Sequence, residues 1–445
     1  MRIKSQKQLY FKQSGQENNK NEKIKKMIET LMSLPEYDEI LERICKDISS
    51  GNKSSGRKGM TAEQVLICSI VRDVNKVSYR ELEYLTSDSC MLRELLNLGF
   101  FHKGFDYKTL QKNIKGIRED TLDFIQEQIK KYAKRNKIEE GNRIRTDGTV
   151  VATNIHAPAD WRQLHDSIRV LSRIVLSRIM TYCYEDEGVD IGFQNHFKSS
   201  KSKLFKINNT RSAKTKHELC VLELRLCKKT IQYAKEAKAK IEKTKCAKTF
   251  TKYLELAQTV YDIAYRRIVK KESVPAKEKI VSIFEEHTDI IVKGLRDVQF
   301  GHKSTITAGA SGLVLDVQIH KGNPCDSQIV PSVLERHKNF YLKSPKQMAF
   351  DGCYYSEDNV NALKKENIEF TFSKGKNANS TSDKKVIKKL RCFRAGIEAI
   401  ISKLKRMFGL SLIKDRTLTG FTKAVKRSVI AYNLFTLANI AIKKS

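Results

Sequence analysis

The chain has 445 residues and carries 84 lysines and arginines against 51 acids, a formal net charge of +33. That excess is too large for an ordinary surface and calls for a polyanionic partner, a phosphate backbone first and an anionic membrane surface second. The length suggests two to three domains and 40% hydrophobic residues allow real cores, but no apolar run reaches bilayer length and the first residues lack the apolar stretch of a secretory signal.

Ten cysteines are scattered without a single Cys-x-x-Cys pair. The spacing argues against a structural zinc site and for free thiols in a reducing compartment. Cys220 and Cys227 are spaced to face each other on a helix, and core packing is the better reading for each.

Residues 1–26 are polar and are expected to be mobile, with a helix over 28–48. Residues 58–135 read as a compact helical domain. Thr61-Ala-Glu-Gln64 and Ser78-Tyr-Arg-Glu81 are capping boxes, each opening a helix. The second helix stops near Ser87, and Ser89 starts another. Two short helices with a tight junction permit a helix-turn-helix. A third helix near 106–117 carries Lys108, Lys112, Lys115 and Arg118 and is suited to lie along DNA, although helix pairs and basic surface are common in any such chain.

Residues 144–154 are β-branched and short, the signature of a buried or half-buried strand. Asp147 falls inside it, where a carboxylate needs a positive partner. The competing reading is an Asp-Gly hairpin turn. Residues 156–295 are helical and polar. Leu164, Ile168, Leu171, Val175 and Ile179 recur near helical spacing. From 201 to 280 cations outnumber acids by more than two to one. The expectation is a long basic helical insertion, with no strand before Lys293.

Residues 296–375 change character. Alternation over 298–308, a turn at Gly309-Ala-Ser-Gly312 and alternation over 313–320 predict a β-hairpin. A helix over 325–337 follows, then a short apolar strand over 347–350 ending at Asp351. Ser356 caps the next helix, and Ile368, Phe370 and Phe372 alternate in a last strand. The first three strands form an expected antiparallel meander, and helical crossovers join the remaining two. The fold class is α/β, a mixed sheet with a large helical insertion and an all-α amino-terminal domain. The expected division is 1–57, 58–140, a catalytic domain of 141–155 with 296–445, and the insertion 156–295. Residues 429–442 read as a buried carboxy-terminal helix.

Asp351 stands at a strand end, where α/β sheets bind ligands. If its strand neighbours that of Asp147, the two carboxylates can share a divalent ion. Hard oxygen ligands without a His or Cys cluster suit Mg2+ or Mn2+. A third carboxylate comes from a helix over 393–408. Phe393, Ile397, Ile400, Leu404 and Phe408 make its apolar stripe, and Arg394, Glu398 and Lys405 a second stripe about 120° away. An ordinary Arg–Glu pair on a solvated face is the plain alternative.

Several ordered segments resemble DDE transposases of bacterial insertion sequences, in particular the ISNCY group, related to the IS4- and IS5-type families. They are Asp147 with Asn154-Ile-His156, Pro158, Asp166 and Arg169-Val-Leu171; Phe300-Gly-His-Lys303; Ile319-His-Lys-Gly-Asn-Pro324 with Asp326; Ala349-Phe-Asp-Gly352; and Phe393-Arg-Ala-Gly-Ile-Glu398 with Lys405-Arg406. The similarity runs over about 58–440. It implies an RNase H-like core with Asp147, Asp351 and Glu398 as the catalytic, metal-holding triad for two Mg2+ or Mn2+ ions. It also implies a Tyr-x2-Arg-x3-Glu-x6-Lys pattern, met by Arg394, Glu398 and Lys405, with Arg391 at the Tyr position. The implied activity is strand cleavage at the element's ends and transfer of the resulting 3′-OH, on double-stranded DNA, by a homodimer in the bacterial cytoplasm at the nucleoid. DNA contact is expected from Arg394, Lys405, Arg391, Lys108 and Lys112. A silent DNA-binding descendant and an RNase H-type nuclease are the alternatives.

Overall fold

The computed structural model describes residues 19–49, 59–175, 193–241, 247–293, 297–373 and 378–443. The chain divides into two compact units, one of 1–153 with 301–445 and one of 154–300.

The first unit begins with helices α1 (Asn19–Met32) and α2 (Tyr37–Ile48). The mobile stretch expected over 1–26 is therefore too long: its first 18 residues lie outside the described ones, and Asn19 onward is helical. Ile24, Met27, Ile28 and Leu31 recur at helical spacing and are buried, which the lysines between them had hidden. Helices α3 (Ala62–Asn75), α4 (Tyr79–Asp88), α5 (Cys90–Leu95), α6 (Tyr107–Gly116) and α7 (Glu119–Arg135) follow. Both capping boxes form, at Thr61–Gln64 and at Ser78–Glu81. Ser89 ends α4 and caps α5 through the Leu92 amide.

Strand β1 (Arg143–Thr153) runs straight through Asp147 and Gly148, which pair with Ile306 and Thr305 across an antiparallel ladder. The hairpin turn is thus excluded there. In the second unit lie α8 (Asp160–Ile174), α9 (Phe197–Asn209), α10 (Ala213–Ile241) and α11 (Ala247–Ile268). They close on Leu164, Ile168, Leu171, Cys227, Ile231, Phe250 and Leu254. Ile179 of the expected α8 stripe lies outside the described residues. A strand β2 (Asp289–Lys293) precedes Lys293 after all. Its Asp-Ile-Ile-Val-Lys run is β-branched but too short to show a period.

Strands β3 (Asp297–Gly309), β4 (Val314–Ile319), β5 (Gln347–Ala349), β6 (Glu369–Thr371) and β7 (Leu412–Ile413) complete a seven-stranded mixed sheet in the order β2-β3-β1-β5-β6, with β4 on β3 and β7 on β1. β1, β3 and β4 form the antiparallel meander, and β5 and β6 run parallel to β1. The crossovers are α12 (Val330–Tyr341) and α13 (Glu357–Lys365), the latter capped by Ser356. Helices α14 (Lys384–Met407) and α15 (Leu418–Ile442) close the chain. α15 is apolar around most of its circumference and is buried, with Asn433 bonded to both the amide and the carbonyl of Val314. Among the described residues no helix is long and apolar enough to cross a membrane.

Candidate active site

Register brings the first two acids together. Arg145 pairs with Ala349 in the parallel β1–β5 ladder. Two residues beyond that pair stand Asp147, still within β1, and Asp351, just past the end of β5. A side chain two residues on returns to the same face of a strand, so Asp147 shares a face with Arg143 and Arg145. That face meets α14. Both arginines lie over the Phe393 ring, at 4.5 and 4.7 Å, and Arg145 Nη1 donates to the Phe393 carbonyl at 3.0 Å. A Cβ on Gly396 would fall 2.1 Å from Arg145 Nη1. The glycine thus lets α14 ride close over the arginine. Ile397, Ile400 and Leu404 bury the apolar stripe beneath.

The docked helix presents Arg394 to all three acids. Its Nη2 stands 3.4 Å from Asp147 Oδ2 and 3.4 Å from Asp351 Oδ1, while its Nη1 lies 2.8 Å from Glu398 Oε1. Asp147 Oδ1 accepts from the Gly148 amide at 2.7 Å. Side-chain exposure grades outward, from 16% for Arg394 and 19% for Asp147 to 42% for Asp351 and 63% for Glu398. One guanidinium faces three carboxylates, and the two more exposed of them, Asp351 and Glu398, open toward solvent.

Among the described residues no three His, Cys, Asp or Glu side chains are grouped closely enough to hold a metal ion as they stand. The donor set still fits a hard divalent cation. It is all carboxylate oxygen, and the Arg394 guanidinium already supplies the positive charge around which the three gather.

A neighbouring pair was named in the sequence only as part of motifs, without a role. Lys303 Nζ lies 2.8 Å from Asp326 Oδ1 and donates to the Pro324 carbonyl at 2.6 Å. Tyr354 is buried nearby, its hydroxyl 3.3 Å from where a Gly148 Cβ would stand. Burial, then the Asp326 and Asp147 carboxylates, hold its phenol protonated far above the ordinary range. Lys303 and Asp326 sat in motifs with no assigned duty, and Tyr354 fits no period. His302 packs edge-on against Phe421 at 4.9 Å, a core histidine.

The other expected DNA-contacting residues do not join the cluster. Arg391 is exposed on α14 and Lys405 is half-buried about three turns beyond Arg394; Lys108 and Lys112 are exposed on α6.

The fold is α/β, and its candidate site is a set of carboxylates where β1 and the end of β5 meet a crossing helix. Residues 296–434 match the family model for the transposase DDE domain, which implies an RNase H-like core and supports a DDE transposase family. The match takes in Asp351, Arg394 and Glu398; Asp147 precedes it. Comparison with curated proteins and with solved structures gave no match.

Proposed function

We propose that this chain is an insertion-sequence transposase that binds the ends of its element, cleaves a DNA strand and joins the freed 3′-OH to a target phosphodiester. The carrying observation is the gathering of Asp147, Asp351 and Glu398 around the Arg394 guanidinium. One of these acids stands on β1, one just past the end of neighbouring β5, and the third on a helix held by packing, so the carboxylates are preorganised rather than recruited.

In this reading Asp147, Asp351 and Glu398 hold Mg2+ or Mn2+. Divalent ions there would neutralise the anionic phosphodiester and lower the barrier to attack on phosphorus. The residues of the chain supply position. Gly148 fixes one oxygen of Asp147, and Gly396 lets α14 bring Glu398 to the strand ends. Arg394, which faces the three carboxylates, is also placed to meet a scissile phosphate, as a planar guanidinium does well. Arg391, Lys405, Lys108 and Lys112 extend the phosphate contacts. The partner is double-stranded DNA, held at two ends by a homodimer. The site of action is the bacterial cytoplasm at the nucleoid, and the chain's net charge of +33 supports the same partner. The test is strand nicking of duplex carrying the inverted repeats that flank the gene, with and without Mg2+. Metal-dependent nicking at the repeat ends supports the reading; tight binding without nicking favours a silent DNA-binding protein.

A further inference from the structure

The turn between α5 and α6 carries two adjacent phenylalanines that the fold leaves in water. Phe100 and Phe101 are 90% and 92% exposed. They occupy the two corners of a tight turn closed by the His102 amide on the Gly99 carbonyl at 3.0 Å. Their rings meet edge to face at 5.4 Å. Full burial of a phenylalanine side chain is worth about 1.5–3 kcal/mol, so this exposure forgoes a sizeable gain.

The turn is held from behind. Arg93 Nη1 donates to the carbonyls of His102 at 2.8 Å and Ser87 at 3.2 Å, and its Nη2 to those of Gly99 at 2.9 Å and Phe100 at 3.1 Å. Ser87 Oγ donates to the Lys103 carbonyl at 3.0 Å, and the Phe105 amide to Thr86 Oγ1 at 3.0 Å. Gly104, at φ +80°, passes so close to Ser87 that a Cβ would fall 2.5 Å from its hydroxyl oxygen. A tip anchored in this way is ordered before any partner arrives, which removes part of the cost of binding.

The charge along the segment that carries the tip points to the partner. Gly99 to Arg118 holds five cations and one carboxylate, Asp106. That carboxylate is engaged as the cap of α6. Lys115 and Arg118 are paired with Asp415 and Asp47, whereas Lys103, Lys108 and Lys112 are exposed and, among the described residues, pair with no carboxylate. A purely apolar protein contact would leave those lysines without a role; duplex DNA offers phosphates to the lysines and a base step to the rings.

We infer that Phe100 and Phe101 form a wedge that enters a base step of duplex DNA and kinks it. Apolar wedges of this kind bend DNA by about 20–90°. The inference rests on the DNA-binding part of the proposed function and adds a deformation step to it.

The test uses the full chain and a short duplex with a central TA step, carrying 2-aminopurine at that step and a dye pair at its ends. Wild type should raise the 2-aminopurine emission and shorten the end-to-end distance. F100A/F101A should lose both and bind at least about tenfold more weakly, one tenfold step being about 1.4 kcal/mol. Its salt dependence should stay the same, because no phosphate contact is removed. F100L/F101L, which keeps an apolar wedge, should retain most of the bend. The wedge is overturned if the alanine pair bends and unstacks DNA as wild type does, or if it changes only the oligomeric state in light scattering, the mark of a self-association surface. Failure of the wild-type chain to bind any duplex would overturn the proposed function as well.

Discussion

Arg394 lies 3.4 Å from Asp147, a residue 247 positions earlier in the chain, and the same nitrogen is 3.4 Å from Asp351. The guanidinium therefore offsets part of the repulsion among the acids it faces. R394Q removes that charge and keeps a hydrogen-bonding side chain. Without divalent ions the variant should be destabilised by about 1 kcal/mol, a figure kept low because Glu398 and Asp351 are partly solvated. Mg2+ should then raise its melting temperature more than it raises that of wild type. Equal Mg2+ effects on the two proteins would show that Arg394 does not stand in for a cation.

Gly396 sets two effects against each other. Alanine favours a helix over glycine by about 0.8–1.0 kcal/mol. The new Cβ, however, would fall 2.1 Å from Arg145 Nη1, which is engaged by the Phe393 carbonyl and ring. Overpacking costs about 1–3 kcal/mol, so G396A should be net destabilising and should cut strand cleavage more than its melting temperature alone explains. A stabilised, fully active variant would mean that Arg145 shifts without consequence for α14.

Arg427 is 3% exposed, with Nη2 2.5 Å from Asp415 and Nε 3.4 Å from Asp73. Burial raises the Asp415 pKa, but Arg427, Arg72 and Lys115 outweigh it and leave the carboxyl below its ordinary value. R427M takes the nearest cation from buried Asp415, which keeps Lys115 at 3.3 Å, and from Asp73, which keeps Arg72 at 2.8 Å, and should cost about 3 kcal/mol in a denaturant titration. Because the Asp415 pKa is depressed on folding, wild type gains stability from it at neutral pH and loses that gain as pH falls through the folded value, below about 4. R427M should show a shallower acid limb.

In the second unit Ser200 bridges His165, at 2.7 Å, and Glu223, in a fully buried chain. Burial lifts the Glu223 carboxyl to about 7. The folded state then binds more protons than the unfolded one between about pH 4.5 and 7, so this unit loses stability as pH rises through that window. E223Q should remove the slope and protect α9 and α10 in hydrogen exchange at pH 8. An unchanged pH profile would show that Glu223 does not titrate there.

What the sequence made legible follows from period and local chemistry. The capping boxes at Thr61 and Ser78, the hairpin around Gly309-Ala-Ser-Gly312 and the cap at Ser356 are local events, and each forms as read. Asp147 was ambiguous because an Asp-Gly pair favours a turn by itself; only its pairing with Ile306 of β3, in a ladder that runs on through Gly148, makes it strand. The Arg394–Glu398 pair was visible as an i,i+4 spacing, and it exists at 2.8 Å. That the same arginine also reaches two strand acids was not visible, since the contact spans sequence distances no periodicity records. Lys303–Asp326 and Tyr354 are of the same long-range kind. β7, with two residues, is too short for any pattern.

The most direct test of the account replaces the acids one at a time, as D147N, D351N and E398Q, and measures strand cleavage and duplex binding on the same preparations. Each variant should lose cleavage by at least about a thousandfold, some 4 kcal/mol of transition-state stabilisation, while its affinity for the duplex stays within a few-fold of wild type. Cleavage that survives, or binding that falls in step with it, would mean that the three carboxylates around Arg394 serve the fold and not the reaction.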